Sequence, residues 1–346
     1  MPNVLICGGA GYIGSHMAQW LHARGHHVTV LDNLSTGHRE AVRWGELIEA
    51  DLLDPPSLEQ AFAGRNFDAV MHFCARSLVG ESVVHPYDYY ANNVTGTLHL
   101  LEAMRRHGVD RLVFSSTAAV FGHPMGTEID EAHPTLPINP YGASKLMVER
   151  ILADAAQAYG LRSVALRYFN AAGALPEHGI GEAHACETHL IPNVLRAALS
   201  GETTLKVFGD DYPTPDGTCL RDYVHVEDLA QAHALALAFM EREAGAHAFN
   251  LGNGHGFSVR EVIAAAAEIT GAPIPYEVMP RRAGDPAALV ACSRKAREVM
   301  GWQPAWTELG PIIESAWHWH RQQPAWSSLP AAFAAPAESR PSLAVG

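Results

Sequence analysis

Basic residues are scarce in this chain. Its 346 residues include 24 Lys and Arg against 37 Asp and Glu, a net charge of −13. That balance argues against sequence-independent binding to nucleic acid or to an anionic membrane, both of which need basic patches. An anionic ligand must therefore be held by a few local arginines. Long apolar runs are also missing. Val4 to Cys7 is short and gives way at once to glycines, so it does not form a signal-peptide core. No run approaches the ~18 apolar residues of a membrane span. Cysteine is sparse: Cys7, Cys74, Cys186, Cys219 and Cys292 are scattered, odd in number and lack any C-x-x-C pair. That argues against a disulfide framework and suits a reducing compartment. The expectation is a soluble cytoplasmic protein. No internal repeat is visible.

Apolar residues make up 48% of the chain, enough for one large or two modest domains. Short apolar runs at Val4–Cys7, Val28–Leu31, Leu47–Ala50, Ala69–Phe73, Leu112–Ser115 and Val164–Arg167 predict buried strands. Helical patterns near 12–24, 57–63, 92–107 and 141–159 lie between them. This alternation predicts an α/β fold with a doubly wound parallel sheet. After about residue 170, Pro and Gly punctuate the chain more often. Helices are expected near 190–200, 227–241 and 258–270, and strands at Leu205–Phe208 and Ala248–Leu251. The expected division is a dinucleotide-binding domain over 1–170 and a smaller mixed α/β substrate domain over 171–323, with segments free to cross back. Residues 324–346, rich in Ala, Pro and Ser, are expected to form a mobile tail.

Gly8-Gly-Ala-Gly11-Tyr-Ile-Gly14 follows the first strand and opens the first helix. Gly8 permits the tight turn, Gly11 lets backbone approach a pyrophosphate, and Gly14 lets helix pack on strand. The phosphates then meet free N–H groups at the helix N-terminus. Asp32 ends the second strand, where a carboxylate accepts from ribose hydroxyls and repels a 2′-phosphate. The sheet is therefore expected to be Rossmann-like, with NAD favoured over NADP.

Tyr141-Gly-Ala-Ser-Lys145 follows Pro140 and opens a helical run. Residues four apart share a helix face, so Tyr141 and Lys145 point the same way. A phenol has a pKa of about 10, and bringing it to about 7 takes roughly 4 kcal/mol of differential stabilisation. A lysine together with a positively charged nicotinamide is the expected source, and the tyrosine then serves as a base near neutral pH. Taken alone, the spacing is common by chance and reads first as a tyrosine and a lysine on a solvated helix face; the rest of the chain changes that. Ser115-Ser116-Thr117 sits upstream, at the end of the fifth predicted strand, where a hydroxyl reaches the same crevice.

Taken together, these motifs resemble the extended short-chain dehydrogenase/reductase family over roughly residues 3 to 320. Further matches are Leu-Asp-Asn-Leu (31–34), Val-Gly-Glu-Ser (79–82), Asn-Asn-Val-Thr-Gly-Thr (92–97), Arg-Tyr-Phe-Asn (167–170) and Arg-Asp-Tyr-Val-His-Val (221–226). Asn-Leu-Gly-Asn-Gly (250–254) and Arg-Arg-Ala-Gly-Asp (281–285) complete the set. The resemblance implies reversible NAD-dependent C4 epimerisation of UDP-galactose and UDP-glucose through a 4-keto sugar. It implies that Tyr141 takes the 4-hydroxyl proton, that Lys145 holds the nicotinamide ribose and lowers the tyrosine pKa, and that Thr117 hydrogen-bonds the 4-oxygen. It further implies a cofactor site lined by Gly8, Gly11, Tyr12, Ile13, Gly14, Asp32, Asn33, Asp51, Leu52, Phe73, Asn93, Lys145 and Phe169. The UDP-sugar site would be lined by Asn170, Leu190, Phe208, Arg221, Arg282 and Asp285. Guanidinium forks at Arg221 and Arg282 suit a diphosphate.

The chain departs from the family pattern at three positions. Thr117 stands where many members have serine, and the hydroxyl survives. Ser77 stands where some carry a lysine near the cofactor. Leu289 stands where some have tyrosine beside the sugar 2-position, which leaves room for an N-acetyl group. A 4-epimerase of another UDP-sugar (N-acetylhexosamine, pentose or uronic acid) is the main alternative. A sugar-nucleotide 4,6-dehydratase is disfavoured, because Ala118-Ala119 occupy the place of the Asp-Glu pair that drives elimination. A catalytically dead NAD-binding protein is disfavoured because Tyr141 and Lys145 are intact.

His184-Ala-Cys186-Glu-Thr-His189 has ligand-type residues but reads as a polar loop leading into a helix, and no metal is expected. Trp317-His-Trp-His320 reads as a helix packed by its aromatics. The resemblance also suggests a homodimer built from the helices near 92–107 and 141–159. The apolar stripe Leu146, Val148, Ile151, Leu152 and Ala155 is available either to a partner subunit or to packing within the chain.

Overall fold

The computed structural model describes residues 1–126, 128–201, 204–282, 285–322 and Trp326. Apart from Trp326, the tail expected over 324–346 lies outside the described residues. The short apolar runs of the first half form strands β1 (Asn3–Cys7), β2 (His27–Asp32), β3 (Glu46–Glu49), β4 (Ala69–His72), β5 (Arg111–Thr117) and β6 (Arg162–Tyr168). Helices α1 (Tyr12–Ala23), α2 (Pro55–Phe62), α3 (Val79–Val84), α4 (Pro86–Tyr89), α5 (Gly96–Arg106) and α6 (Pro140–Tyr159) separate them. Beyond β6 come β7 (Asn170–Ala172), α7 (Leu190–Ser200), β8 (Leu205–Phe208), β9 (Leu220–Arg221), β10 (Tyr223–His225) and α8 (Val226–Phe239). β11 (Ala246–Leu251), β12 (Phe257–Ser258), α9 (Val259–Thr270), β13 (Tyr276–Met279), β14 (Ala288–Leu289) and α10 (Leu309–Gln322) follow.

Seven strands make one sheet in the order β11-β6-β5-β4-β1-β2-β3. Every pairing in it is parallel. The strand order reverses between β1 and β4, which opens a crevice at their carboxyl ends. β11 comes from the second half of the chain, so the polypeptide crosses back to complete the sheet. One face of the sheet buries α1 and α8, with Met17, Leu21, Leu229 and Trp302 in a single apolar cluster. The other face buries α2, α5 and α6 through Leu58, Phe62, Leu100, Val148 and Leu152. A third cluster joins α7, α9 and α10 through Ile191, Val194, Val262, Ile312 and Ile313.

Two local features place the site. α6 starts sharply: Asn139 is its N-cap and accepts the Gly142 N–H (2.8 Å), and Pro140 is its first residue. It stops at Gly160, whose φ of 71° suits a left-handed cap. The stretch expected as one helix over 92–107 is divided, with Tyr90–Thr95 as a π-helical turn ahead of α5. Such turns re-aim a side chain, and here the buried one is Asn93. On α6, Val148 and Leu152 are buried in the chain's own core and Ala155 packs against it, so this part of the stripe is intramolecular. Leu146 packs with Val120, Phe121 and Ile129.

Candidate active site

The glycine turn fits a dinucleotide by close approach. Gly8 has φ 83°, and a Cβ there would lie 2.8 Å from the Cys74 nitrogen. A Cβ on Gly14 would lie 2.2 Å from the Gly8 carbonyl oxygen, so no other residue lets α1 press against the turn. Gly11 caps α1 without a side chain, which leaves the first-turn amides for an anion. At the end of β2 the buried Asp32 carboxylate accepts the N–H of Ala10 (3.0 Å) and of Leu34 (2.8 Å). Burial pushes its pKa up, and those two amides oppose the shift. Leu34 is the non-glycine residue with left-handed backbone among those described, φ 56°, so strain is stored at the ribose end of the crevice. Asn33 donates to Asp51 (2.9 Å). Leu52 is buried. Ile13 packs on the α1–α8 core, and the Tyr12 hydroxyl donates to the Gly173 carbonyl (2.6 Å). Phe73 lies against His233, with centroids 4.8 Å apart and ring planes tilted by 38°.

The catalytic candidates converge where β5 meets α6. Thr117 ends β5, is nearly buried, and accepts the Ala119 N–H (3.1 Å), so it also caps the turn over Ala118–Val120. Tyr141 is the second residue of α6, and the neighbouring Thr117 side chain acts to favour its phenolate. Lys145 is buried, donates to the Ser115 carbonyl (2.8 Å), and lies 6.0 Å from the Tyr141 ring centroid. A Cβ on Gly142 would lie 2.4 Å from the Ala119 carbonyl oxygen, so glycine there sets how closely α6 approaches β5. The sequence points to Lys145 and a bound nicotinamide together as the source of a lowered tyrosine pKa. In this structure burial pushes Tyr141 above the usual phenol value, and the opposing pull comes from Thr117. Burial also lowers Lys145 to about 7. The protein's own charges therefore leave the phenol protonated, and further positive charge beside it is needed to favour the phenolate.

Three polar groups brace this region, and the sequence reading did not assign two of them, Glu149 and Asp222. Glu149 is two turns beyond Tyr141 on the same face of α6. It accepts from Ser116 Oγ on β5 (2.5 Å) and from Arg167 on β6 (3.0, 3.2 and 2.5 Å). Asn93 was expected to line the cofactor crevice. It donates to the Arg76 carbonyl (3.0 Å) and to Ser144 Oγ (3.0 Å), and accepts the Arg76 N–H (2.9 Å), so it ties the loop after β4 to α6. Asp222 is fully buried and accepts the backbone N–H of Asn253, Gly254 and Ala291 (2.8, 3.1 and 3.1 Å). The signals were polar residues in otherwise apolar surroundings: Glu149 at the i+8 position from Tyr141, and Asp222 inside the quoted Arg-Asp-Tyr motif.

The expected substrate residues form two groups. Arg221 on β9 is paired with Asp285 and also donates to the carbonyls of Leu220 (2.7 Å) and Pro286 (3.0 Å). These bonds fix the orientation of its guanidinium and leave Nε–H and one Nη2–H without a partner among the described residues. Arg282 lies over the Phe208 ring, 3.9 Å from its centroid. Leu190 opens α7 and packs on the third cluster. Asn170 donates to the Asp222 carbonyl (3.0 Å), and β14 pairs Leu289 with Arg221. Leu289 and Phe169 pack with Val120, Phe121 and Leu146, which joins this arm to the end of β5 and the start of α6. Phe169 thus belongs to the seam between the two regions.

The model of the NAD dependent epimerase/dehydratase family matches residues 4–252. A UDP-glucose 4-epimerase of Halalkalibacterium halodurans is 50% identical over 321 residues, which cover 93% of this chain and 96% of that protein. The crystal structure of UDP-glucose 4-epimerase from Brucella ovis in complex with NAD is 48% identical, with a TM-score of 0.89 over 92% of this chain and 98% of that one. That of the Bifidobacterium longum enzyme in complex with NAD+ and UDP is 39% identical, with a TM-score of 0.87 over 93% and 98%. The chain belongs to the NAD dependent epimerase/dehydratase family.

Proposed function

We propose that this protein is an isomerase that interconverts UDP-galactose and UDP-glucose at C4, with NAD held at the glycine turn. The observation that carries this reading is the meeting of Tyr141, Thr117 and Lys145 at the carboxyl end of β5, on the same edge of the sheet as the glycine turn. NAD, when bound, supplies a hydride acceptor and a positively charged ring. Tyr141 takes the proton from the sugar 4-hydroxyl and returns it after the 4-keto sugar has turned over. Thr117 hydrogen-bonds the 4-oxygen and relays the proton. Lys145 holds the cofactor ribose and adds positive charge near the phenol. Ala118 and Ala119 offer no acid or base beyond these, so elimination across C5–C6 has no agent. Arg282 and the Arg221–Asp285 pair hold the nucleotide end, while Phe208, Leu190 and Asn170 line it.

The active form we propose is a homodimer. Val83, Val84, Tyr87, Leu98 and Met147 lie exposed on α3 to α6, and a partner subunit would cover this apolar surface. The cytoplasm is the expected compartment: all five cysteines are free, and among the described residues no helix is long and apolar enough to cross a membrane. The test is incubation of purified protein with UDP-galactose and no added NAD. UDP-glucose should accumulate to equilibrium. No interconversion of any UDP-hexose would overturn the reading, and conversion of N-acetylated or pentose sugars alone would move it to the alternative substrates.

A further inference from the structure

Glu182, His184, Glu187 and His189, on the segment that leads into α7, have no role in the chemistry proposed above. Each offers one ligand-capable atom, and all four atoms lie within 4.8 Å of one another. His184 Nδ1 is 3.1 Å from Glu182 Oε1 and 3.6 Å from Glu187 Oε2. His189 Nδ1 is 3.4 Å from Glu187 Oε1 and hydrogen-bonded to Glu182 Oε1. A tetrahedral ion with nitrogen and oxygen ligands at about 2.0–2.1 Å has ligand-to-ligand edges of roughly 3.4 Å. The side chains already stand close to those separations.

Burial makes this arrangement costly without a cation. The side chains of Glu182 and Glu187 are 5% and 1% exposed. Among the described residues, their ion pairs are with His184 and His189, not with Lys or Arg. Glu187 Oε1 is fixed by the N–H groups of Thr188 and His189, both at 2.9 Å. Its Oε2 is buried without a hydrogen-bond partner. A buried carboxylate oxygen left without a hydrogen bond is costly, and this one faces the His184 ring at 3.6 Å.

We propose that Glu182, His184, Glu187 and His189 bind one divalent transition-metal ion of the zinc class. Two imidazoles and two carboxylates suit Zn²⁺, Co²⁺ or Mn²⁺, whereas Mg²⁺ favours octahedral sets of oxygens and water. The bound site is electrically neutral, which removes the cost of burying both carboxylates. With four protein ligands it is a structural clasp. His189 caps α7. The backbone of Glu182 accepts the Trp319 indole N–H (2.9 Å), and that of Ala183 accepts from His38 (2.7 Å). His184 borders a recess shared with Gly11, Tyr12 and Ser15. The ion therefore fastens the segment that flanks the first turn of α1. Sequence reasoning treated 184–189 as a polar loop because it considered the two histidines without Glu182.

Two histidinium rings are the other way to neutralise the carboxylates, and a titration separates the cases. Full-length untagged protein is dialysed against a chelator, then titrated with Co²⁺ and followed by visible absorption. The expected result is one equivalent of Co²⁺ with the intense bands of tetrahedral geometry, displaced by Zn²⁺ and unaffected by Mg²⁺. The His184→Ala/His189→Ala variant should lose those bands. Both rings are partly exposed, 34% and 51%, so their removal spares the core, and circular dichroism checks the fold. Glu187→Gln should lose the bands as well. Absence of a tetrahedral Co²⁺ spectrum in the parent protein, or an unchanged spectrum in the double-histidine variant, would overturn the proposal.

Discussion

Replacing Glu149 with alanine should destabilise the protein far more than removal of a surface acid. Glu149 and Arg167 are 10% and 8% exposed, and the carboxylate takes three hydrogen bonds from the guanidinium and one from Ser116. Alanine leaves a buried arginine without a counter-ion, which costs about 3–5 kcal/mol. An exposed pair such as Arg150–Asp154, with side chains 79% and 59% exposed, is worth only about 0.3–0.5 kcal/mol. Urea unfolding followed by tryptophan fluorescence measures the difference, with Asp154→Ala as the surface control. The Glu149→Ala/Arg167→Met double variant should recover much of the loss, because the stranded charge is gone. Activity should stay low in both, since Ser116 and α6 lose the tie that sets Tyr141 against Thr117. A Glu149→Ala protein within about 1 kcal/mol of the parent would refute the claim that this pair anchors the site.

Three further outcomes follow from the geometry. Gly142→Ala places a methyl group 2.4 Å from the Ala119 carbonyl oxygen; α6 must shift, which should cost about 1–3 kcal/mol in urea unfolding and up to a hundredfold in turnover through misplacement of Tyr141. Thr117→Ser should keep most of the activity in a coupled UDP-glucose assay, while Thr117→Val, which removes the hydroxyl, should lose about 100-fold. Lys145 is lowered by burial to about 7 in the folded chain, against about 10.4 unfolded. Between those values the unfolded chain binds one more proton, so stability should rise with pH across that window. Lys145→Met should flatten that rise, as read from unfolding free energies at several pH values.

The sequence made some parts of the site legible for physical reasons. Gly8, Gly11 and Gly14 announce the turn because a Cβ on Gly8 or Gly14 would collide with backbone. Tyr141 and Lys145 sit one helical turn apart, so their common face follows from local geometry. The parts it did not show depend on contacts distant in sequence. The pairing of Arg221 with Asp285, 64 residues later, is one of these. Glu149 meets Arg167 only because α6 lies across β5 and β6. Ala248–Leu251 reads as part of the second region, yet lies beside β6 as the seventh strand. The burial that raises Tyr141 and lowers Lys145 in the protein's own environment was also hidden, because a pattern shows which charges lie near but not how deeply the groups are buried.

The central claim is that Tyr141 moves the proton at C4. The most direct measurement is the rate of UDP-galactose conversion by Tyr141→Phe, a variant that keeps the ring and removes only the hydroxyl. The expected result is a loss of about 10²- to 10⁴-fold with the fold and bound dinucleotide retained. A rate within tenfold of the parent would contradict it.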